Sequence, residues 1–151
     1  MRSLPVAWEE AAMGHGSQLY TSTGFAPIDD EHEALSLALA AFIETVNAGK
    51  VDEIRQSLDG LIRGVASHFS HEEEMMAGFA YPMRKQHEDA HAAFVADARR
   101  FQAEFGKTGV TSNFRRWAVG RLPEWFRFHI LAHDMGLARF LVKAGITSAV
   151  A

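Results

Sequence analysis

The 151-residue sequence has no cysteine. Disulfides, thiolate metal sites and thiol nucleophiles are therefore excluded, which fits a reducing compartment. A basic excess is also missing, since fifteen Lys and Arg stand against nineteen Asp and Glu, a formal charge of -4. Nucleic acid is not an expected partner, because no cationic surplus exists to neutralise phosphates. No block of like charge runs longer than Glu72-Glu73-Glu74, so no polyelectrolyte tail is present. Long apolar runs are lacking too: no stretch reaches membrane-spanning length, and the N-terminus carries no signal-like apolar core. A soluble, cytoplasmic protein without a membrane partner is the expectation. Strand-like alternation and internal repeats are likewise absent, which leaves helix as the one regular periodicity on offer.

What is present is a single-domain quantity of chain, 48% hydrophobic and 23% charged, enough for one well-filled core over residues 1–151. Residues 1–28 read as an extended N-terminal arm, with Pro5, Gly14, Gly16, Gly24 and Pro27 breaking any period. Trp8 and Phe25 are its candidate anchors, and His15 sits between glycines as a loop residue. From Asp29 or Asp30, either able to cap a helix, the apolar positions Leu35, Leu39, Phe42, Ile43 and Val46 step by three and four, with His32 on the same face. Gly49 closes this helix. A second seam, Ile54, Leu58, Leu61, Val65, His68, Glu72, Met75 and Phe79, never slips register. Pro82 suits the first turn of a third helix, whose seam is His87, His91, Phe94, Ala98, Phe101 and Phe105, ended by Gly106. Thr111 or Ser112 caps a fourth, which Pro123 must kink or restart; its stripe is Phe126, His129, Ile130, Leu137, Phe140 and Leu141, stopped by Gly145. Short connections favour antiparallel neighbours, so the expected fold is an all-α, up-down-up-down four-helix bundle over residues 29–145.

Five of the eight histidines fall on these apolar seams: His32, His68, His87, His91 and His129. Glu72 shares the seam of His68. A buried imidazole or carboxylate is costly unless paired or bound to metal, so a metal site in the bundle core is the economical reading. The donor set exceeds the four ligands of structural zinc. Oxygen-only ions would want carboxylates and carbonyls instead. Mixed imidazole and carboxylate ligation suits iron, with copper and manganese possible on ligand type, and six or seven ligands suit two ions better than one. On the fourth helix the partner of His129 is open at this level. His133 is four positions on and stacks over it. Asp134 is five on, about 140° round an ideal helix, although a local π turn can absorb that offset.

Four ordered motifs settle the choice by resemblance: Ile-Asp-x-x-His at 28–32, His-Phe-x-x-Glu-Glu at 68–73, His-x-x-x-His-x-x-Phe at 87–94 and Trp-x-x-x-His-Ile-x-x-x-Asp at 125–134. Together they resemble the hemerythrins, the single-domain bacterial ones most closely, over about residues 25–145. The resemblance implies two iron ions, cycling between ferrous and ferric, bridged by a solvent-derived oxygen. His87, His91 and His129 would hold one iron, His32 and His68 the other, with Glu72 and Asp134 bridging. Molecular oxygen would bind reversibly at the iron with fewer histidines, in an apolar pocket of Leu35, Phe69, Phe126 and Ile130. Two readings of His133 stay open, a hydrogen-bonding neighbour of Asp134 and an exposed histidine near the bundle end, while His71, Glu73 and Glu74 are expected to face solvent. No catalytic residue is implied. Storage, delivery to an oxygen-consuming enzyme, and sensing are the roles in play; sensors in that family carry signalling domains, so a stand-alone carrier or store is favoured. Oligomeric state is not legible.

Two rivals are weaker. His87-Glu88-Asp-Ala-His91 has the form of the H-E-x-x-H zinc peptidase signature, but Glu88 lies off its seam and the other seam histidines would go unused. A ferritin-like carboxylate site needs two Glu-x-x-His pairs, and only Glu88-x-x-His91 is present.

Overall fold

A computed structural model describes residues 20–147. Trp8, His15 and most of the expected arm lie outside the described residues. Helix α1 spans Ala26–Ala48, α2 Val51–Gly78 and α3 Arg84–Thr108. A fourth helix follows in five consecutive segments: α4 Ser112–Arg116, a π turn Trp117–Arg121, α5 Leu122–His129, a second π turn Ile130–Asp134, and α6 Met135–Lys143. No strand occurs among the described residues. The molecule is an all-helical four-helix bundle, with α2 packed on both α1 and α3.

The seams read from the sequence are the buried faces, except that Phe79, past the end of α2, and Phe126 and Phe140 on the fourth helix are only half-buried. On α3 the buried residues are His87, His91, Phe94, Ala98, Phe101 and Phe105, the full expected set. The helix ends differ from expectation in three places. Helix α1 begins at Ala26 because Pro27, lacking an N–H, fits a first turn, and Phe25 rather than an aspartate occupies the N-cap. Asp29 therefore lies inside that turn, where its carboxylate accepts from Thr23 N at 2.7 Å, Thr23 Oγ1 at 2.7 Å and Ser22 Oγ at 2.7 Å. Pro82 stands in the turn ahead of α3, whose N-cap is Met83. Gly106 does not end α3. The helix continues through it to bury Phe105 against Phe114, ring centroids 5.0 Å apart, and stops at Gly109 in a conformation (φ 69°, ψ -150°) that side chains disfavour. Thr111 caps the fourth helix, its side chain accepting from Phe114 N at 3.0 Å. Pro123 stands in the first turn of α5, just after the first π turn, so the helix restarts where the proline lacks an N–H.

Apolar burial falls into two clusters. The larger gathers Leu35, Leu39, Phe42, Ile54, Leu58, Val65, Phe69, Phe94, Phe101, Phe114 and Trp117, among others. The smaller holds Phe25, Ile28, Met75, Met76, Leu137, Ala138 and Leu141. Between them, on each of α1, α2 and the fourth helix, stand buried polar residues: His32 after Ile28, His68 and Glu72 before Met75, His129 and Asp134 before Leu137. A polar layer thus crosses an otherwise apolar interior.

Candidate metal centre

In that layer the ligand-type atoms form two groups, each lying within 4.8 Å of one another: Glu72, His87, His91, His129 and Asp134 in one, and His32, His68, Glu72 and Asp134 in the other. Both carboxylates belong to both groups. Glu72 turns Oε1 to His68 Nε2 at 3.4 Å and Oε2 to His87 and His91 Nε2 at 3.2 and 3.1 Å. Asp134 turns Oδ2 to His32 Nε2 at 2.9 Å and Oδ1 to His87 and His129 Nε2 at 2.9 and 3.1 Å. Each carboxylate therefore presents one oxygen to each group.

These contacts are close, yet they lack the direction of hydrogen bonds. Both oxygens of Glu72 and of Asp134, and Nε2 of all five histidines, are buried without a hydrogen-bond partner among the described residues. So many orphaned polar atoms in one layer would be strongly destabilising by themselves. They converge on common points, as ligands of an ion do. Five imidazoles with two carboxylates and no thiolate fit iron, and two ions better than one.

The local fold accounts for each placement. His68 and Glu72, and His87 and His91, are stacked by their spacing of four on α2 and α3. His129 and Asp134 are five apart, and the π turn Ile130–Asp134 brings the carboxylate onto the same face. His133 consequently leaves it. Half-buried, it makes ring contacts with His129 at 5.0 Å and His87 at 5.3 Å and belongs to neither ligand group.

Behind the imidazoles stand carboxylates that the seam pattern did not reveal. Glu31 Oε2 lies 2.6 Å from His68 Nδ1, and its other oxygen 2.6 Å from Nδ1 of the exposed His71. Glu73, expected in solvent, has Oε1 2.9 Å from His91 Nδ1. An acceptor at Nδ1 places the proton there and frees Nε2 as the ligand atom. Both glutamates sit one position off a seam, beside His32 and Glu72, and that adjacency is the signal that would have found them. Glu88 faces away from the layer and accepts from Arg84 Nε at 2.6 Å, so the H-E-x-x-H glutamate is a partner along its own helix surface.

Electrostatics follow the same geometry. Burial alone would push the Asp134 carboxyl up, but the imidazoles of His129, His32 and His87 hold it well below the usual carboxylate range. Burial and the Asp134 charge push Glu72 up, and His68, His87 and His91 outweigh them to lower it. Burial disfavours the His87 cation, yet Asp134 and Glu72 raise it to about 9. His68 is raised against burial by Glu72, Glu31 and Asp134. His129 is lowered, mainly by burial.

Of the four expected pocket residues, Leu35, Phe126 and Ile130 line one cavity of about 20 Å³ beside His32, together with Tyr20, Ser36 and Leu39. Phe69 does not line it; its ring stacks on His91 at 3.8 Å and 9°. Tyr20, from the segment ahead of α1, meets the His32 ring edge-on at 6.0 Å. No sequence pattern marked it, because it precedes the periodic part of the chain.

A helical bundle whose core carries two overlapping imidazole and carboxylate groups defines the class: a metal-binding four-helix-bundle protein. The family profile described as the hemerythrin HHE cation binding domain matches residues 23–141. The bacteriohemerythrin of Methylococcus capsulatus (Bath) is 30% identical over 125 residues, covering 79% of this chain and 89% of that protein. The chain belongs to the hemerythrin family.

Proposed function

We propose that this chain is an oxygen-binding protein that stores or delivers oxygen and is not an enzyme. The observation that carries this reading is the division of both carboxylates between the two histidine groups. His87, His91 and His129 would hold one iron, His32 and His68 the other, and Glu72 and Asp134 both. An iron pair held so would supply reversible binding of molecular oxygen. The chain's own part is to place seven donors, to neutralise part of the ion charge with two buried carboxylates, and to fix tautomers through Glu31 and Glu73. Leu35, Phe126 and Ile130 give the cavity beside His32 an apolar lining, which would disfavour water that competes with oxygen. We further infer a single domain of up-down-up-down topology that works in the cytoplasm, handing oxygen to a consuming enzyme. No helix of the described residues is long and apolar enough to cross a membrane.

Metal analysis with an optical spectrum tests the proposal. The purified protein should carry two irons per chain and change colour reversibly with oxygen. One zinc and no iron after expression in iron-replete medium would overturn it. Glu88→Gln should leave both properties unchanged, given its surface pairing with Arg84.

A further inference from the structure

The cavity beside His32 has one wall that the helical bundle does not supply. Leu35, Ser36 and Leu39 come from α1, and Phe126 and Ile130 from the fourth helix, whereas Tyr20 comes from the segment that leads into α1. At about 20 Å³ the cavity is near the smallest that admits a single water. Its lining is largely apolar and its size suits a diatomic molecule. Whatever covers it decides what enters.

The segment that carries Tyr20 is clamped to α1 two residues further on. Asp29, in the first turn of α1, accepts from Ser22 Oγ, Thr23 N and Thr23 Oγ1, each at 2.7 Å, and from Gly24 N at 3.3 Å. The chain bends at Gly24, whose φ of 84° a side chain would resist. Phe25 then anchors the turn, 2% exposed in the smaller apolar cluster. Residues 22–25 are thereby tied to α1 at one end, and Tyr20 extends from them to meet the His32 ring.

We propose that Tyr20 is a specificity-determining residue of the oxygen site. Its ring is the movable wall that admits a neutral diatomic ligand and slows the entry of water and larger anions, and Asp29 is the positioning residue that holds it. This inference rests on the function proposed above. It assigns the Ser22–Phe25 turn a purpose that fold stability alone does not give it.

The probe is azide, an anion larger than a diatomic molecule, added to the iron-loaded, oxidised protein and followed by stopped-flow absorbance. A gate alters passage in both directions equally. Tyr20→Ala should therefore raise the azide association and dissociation rates together, by about tenfold for a barrier lower by about 1.4 kcal/mol, and leave the dissociation constant in place. Tyr20→Phe should behave as wild type, because the ring and not the hydroxyl closes the wall. Asp29→Ala should shift the rates in the same direction as Tyr20→Ala. Unchanged rates in Tyr20→Ala, or a change in dissociation rate alone, would overturn the proposal, as would a Tyr20→Phe variant resembling Tyr20→Ala. If the wild-type protein holds two irons and binds oxygen while Tyr20→Ala is inert, only this inference falls. A wild-type protein without iron overturns both.

Discussion

Glu73 offers the sharpest test of how the centre is organised, because the simple pattern of seams assigns it nothing. Its carboxylate, 40% exposed, lies 2.9 Å from Nδ1 of His91, whose ring is 2% exposed. A hydrogen bond to a charged acceptor contributes about 1.5–3 kcal/mol when both partners are shielded. Water can reach this one and replace part of it. The lower end is therefore appropriate, and Glu73→Ala should weaken metal binding by about tenfold, near the bottom of the range seen when such outer partners are removed. Glu31 is less replaceable. It lies 2.6 Å from both His68 and His71, and its carboxylate is 32% exposed. Glu31→Ala should cost more, up to about a hundredfold. Glu74→Ala, which removes an exposed neighbour of the same charge, is the control and should have no effect. Anaerobic ferrous titration against a coloured chelator gives the three constants, with thermal unfolding of the metal-free forms to confirm equal folding. Equal affinities for Glu73→Ala and Glu74→Ala would refute the reasoning, as would a greater loss for Glu73 than for Glu31.

Asp134→Ala should lose iron or the oxygen-bound spectrum, since no other described residue offers an oxygen to His32 on one side and to His87 and His129 on the other, whereas His133→Ala should keep two irons by metal analysis. The metal-free protein should lose stability as pH rises from about 6.5 toward 9. The His87 proton is held in the folded state to about 9, so its contribution is complete below the ordinary value of 6.5 and vanishes through about 9, with His68 acting in the same direction. His129, lowered in the fold, acts only below that window. A melting temperature of chelator-treated protein that climbs between those pH values would contradict this assignment. Phe101→Ala should destabilise the fold by about 3–5 kcal/mol, measured as a lower urea midpoint, with iron stoichiometry unchanged. Phe101 is 1% exposed and stacks on Trp117 at 4.7 Å, well inside the larger apolar cluster.

The helices were legible because burial here follows one period. Each seam residue of α3 is buried, and the polar members of a seam declared themselves by standing where leucine or phenylalanine would serve packing better. Asp134 needed more than period. At five residues from His129 it is off-face on a regular helix, and only the family motif, or knowledge of the π turn at Ile130–Asp134, returns it to the centre. Glu31 and Glu73 were hidden for a related reason. A residue beside a seam reaches a neighbouring helix only through its side chain, and that reach depends on how far apart the helices sit. The helix ends depart from expectation at Asp29, Pro82 and Gly106. At Gly106 the packing of Phe105 against Phe114 overrode a weak local preference. At Asp29 the proline two positions earlier set the start.

The polar layer also bears on how the molecule comes apart. It divides the interior into unequal halves, and the smaller, built on Phe25, Ile28, Met75, Met76, Leu137, Ala138 and Leu141, includes both the entry to α1 and the last turns of the fourth helix. Without ions the halves are coupled only through the helices and the imidazole–carboxylate pairs of the layer, so the smaller end should open by itself at lower cost than global unfolding. Ions that bridge α1, α2, α3 and the fourth helix would tie those openings to the rest, turning two cooperative units into one. Hydrogen exchange at Leu137 and Leu141 would then report metal loading directly, and the end that loosens first would also be the end through which an incoming ion finds its ligands.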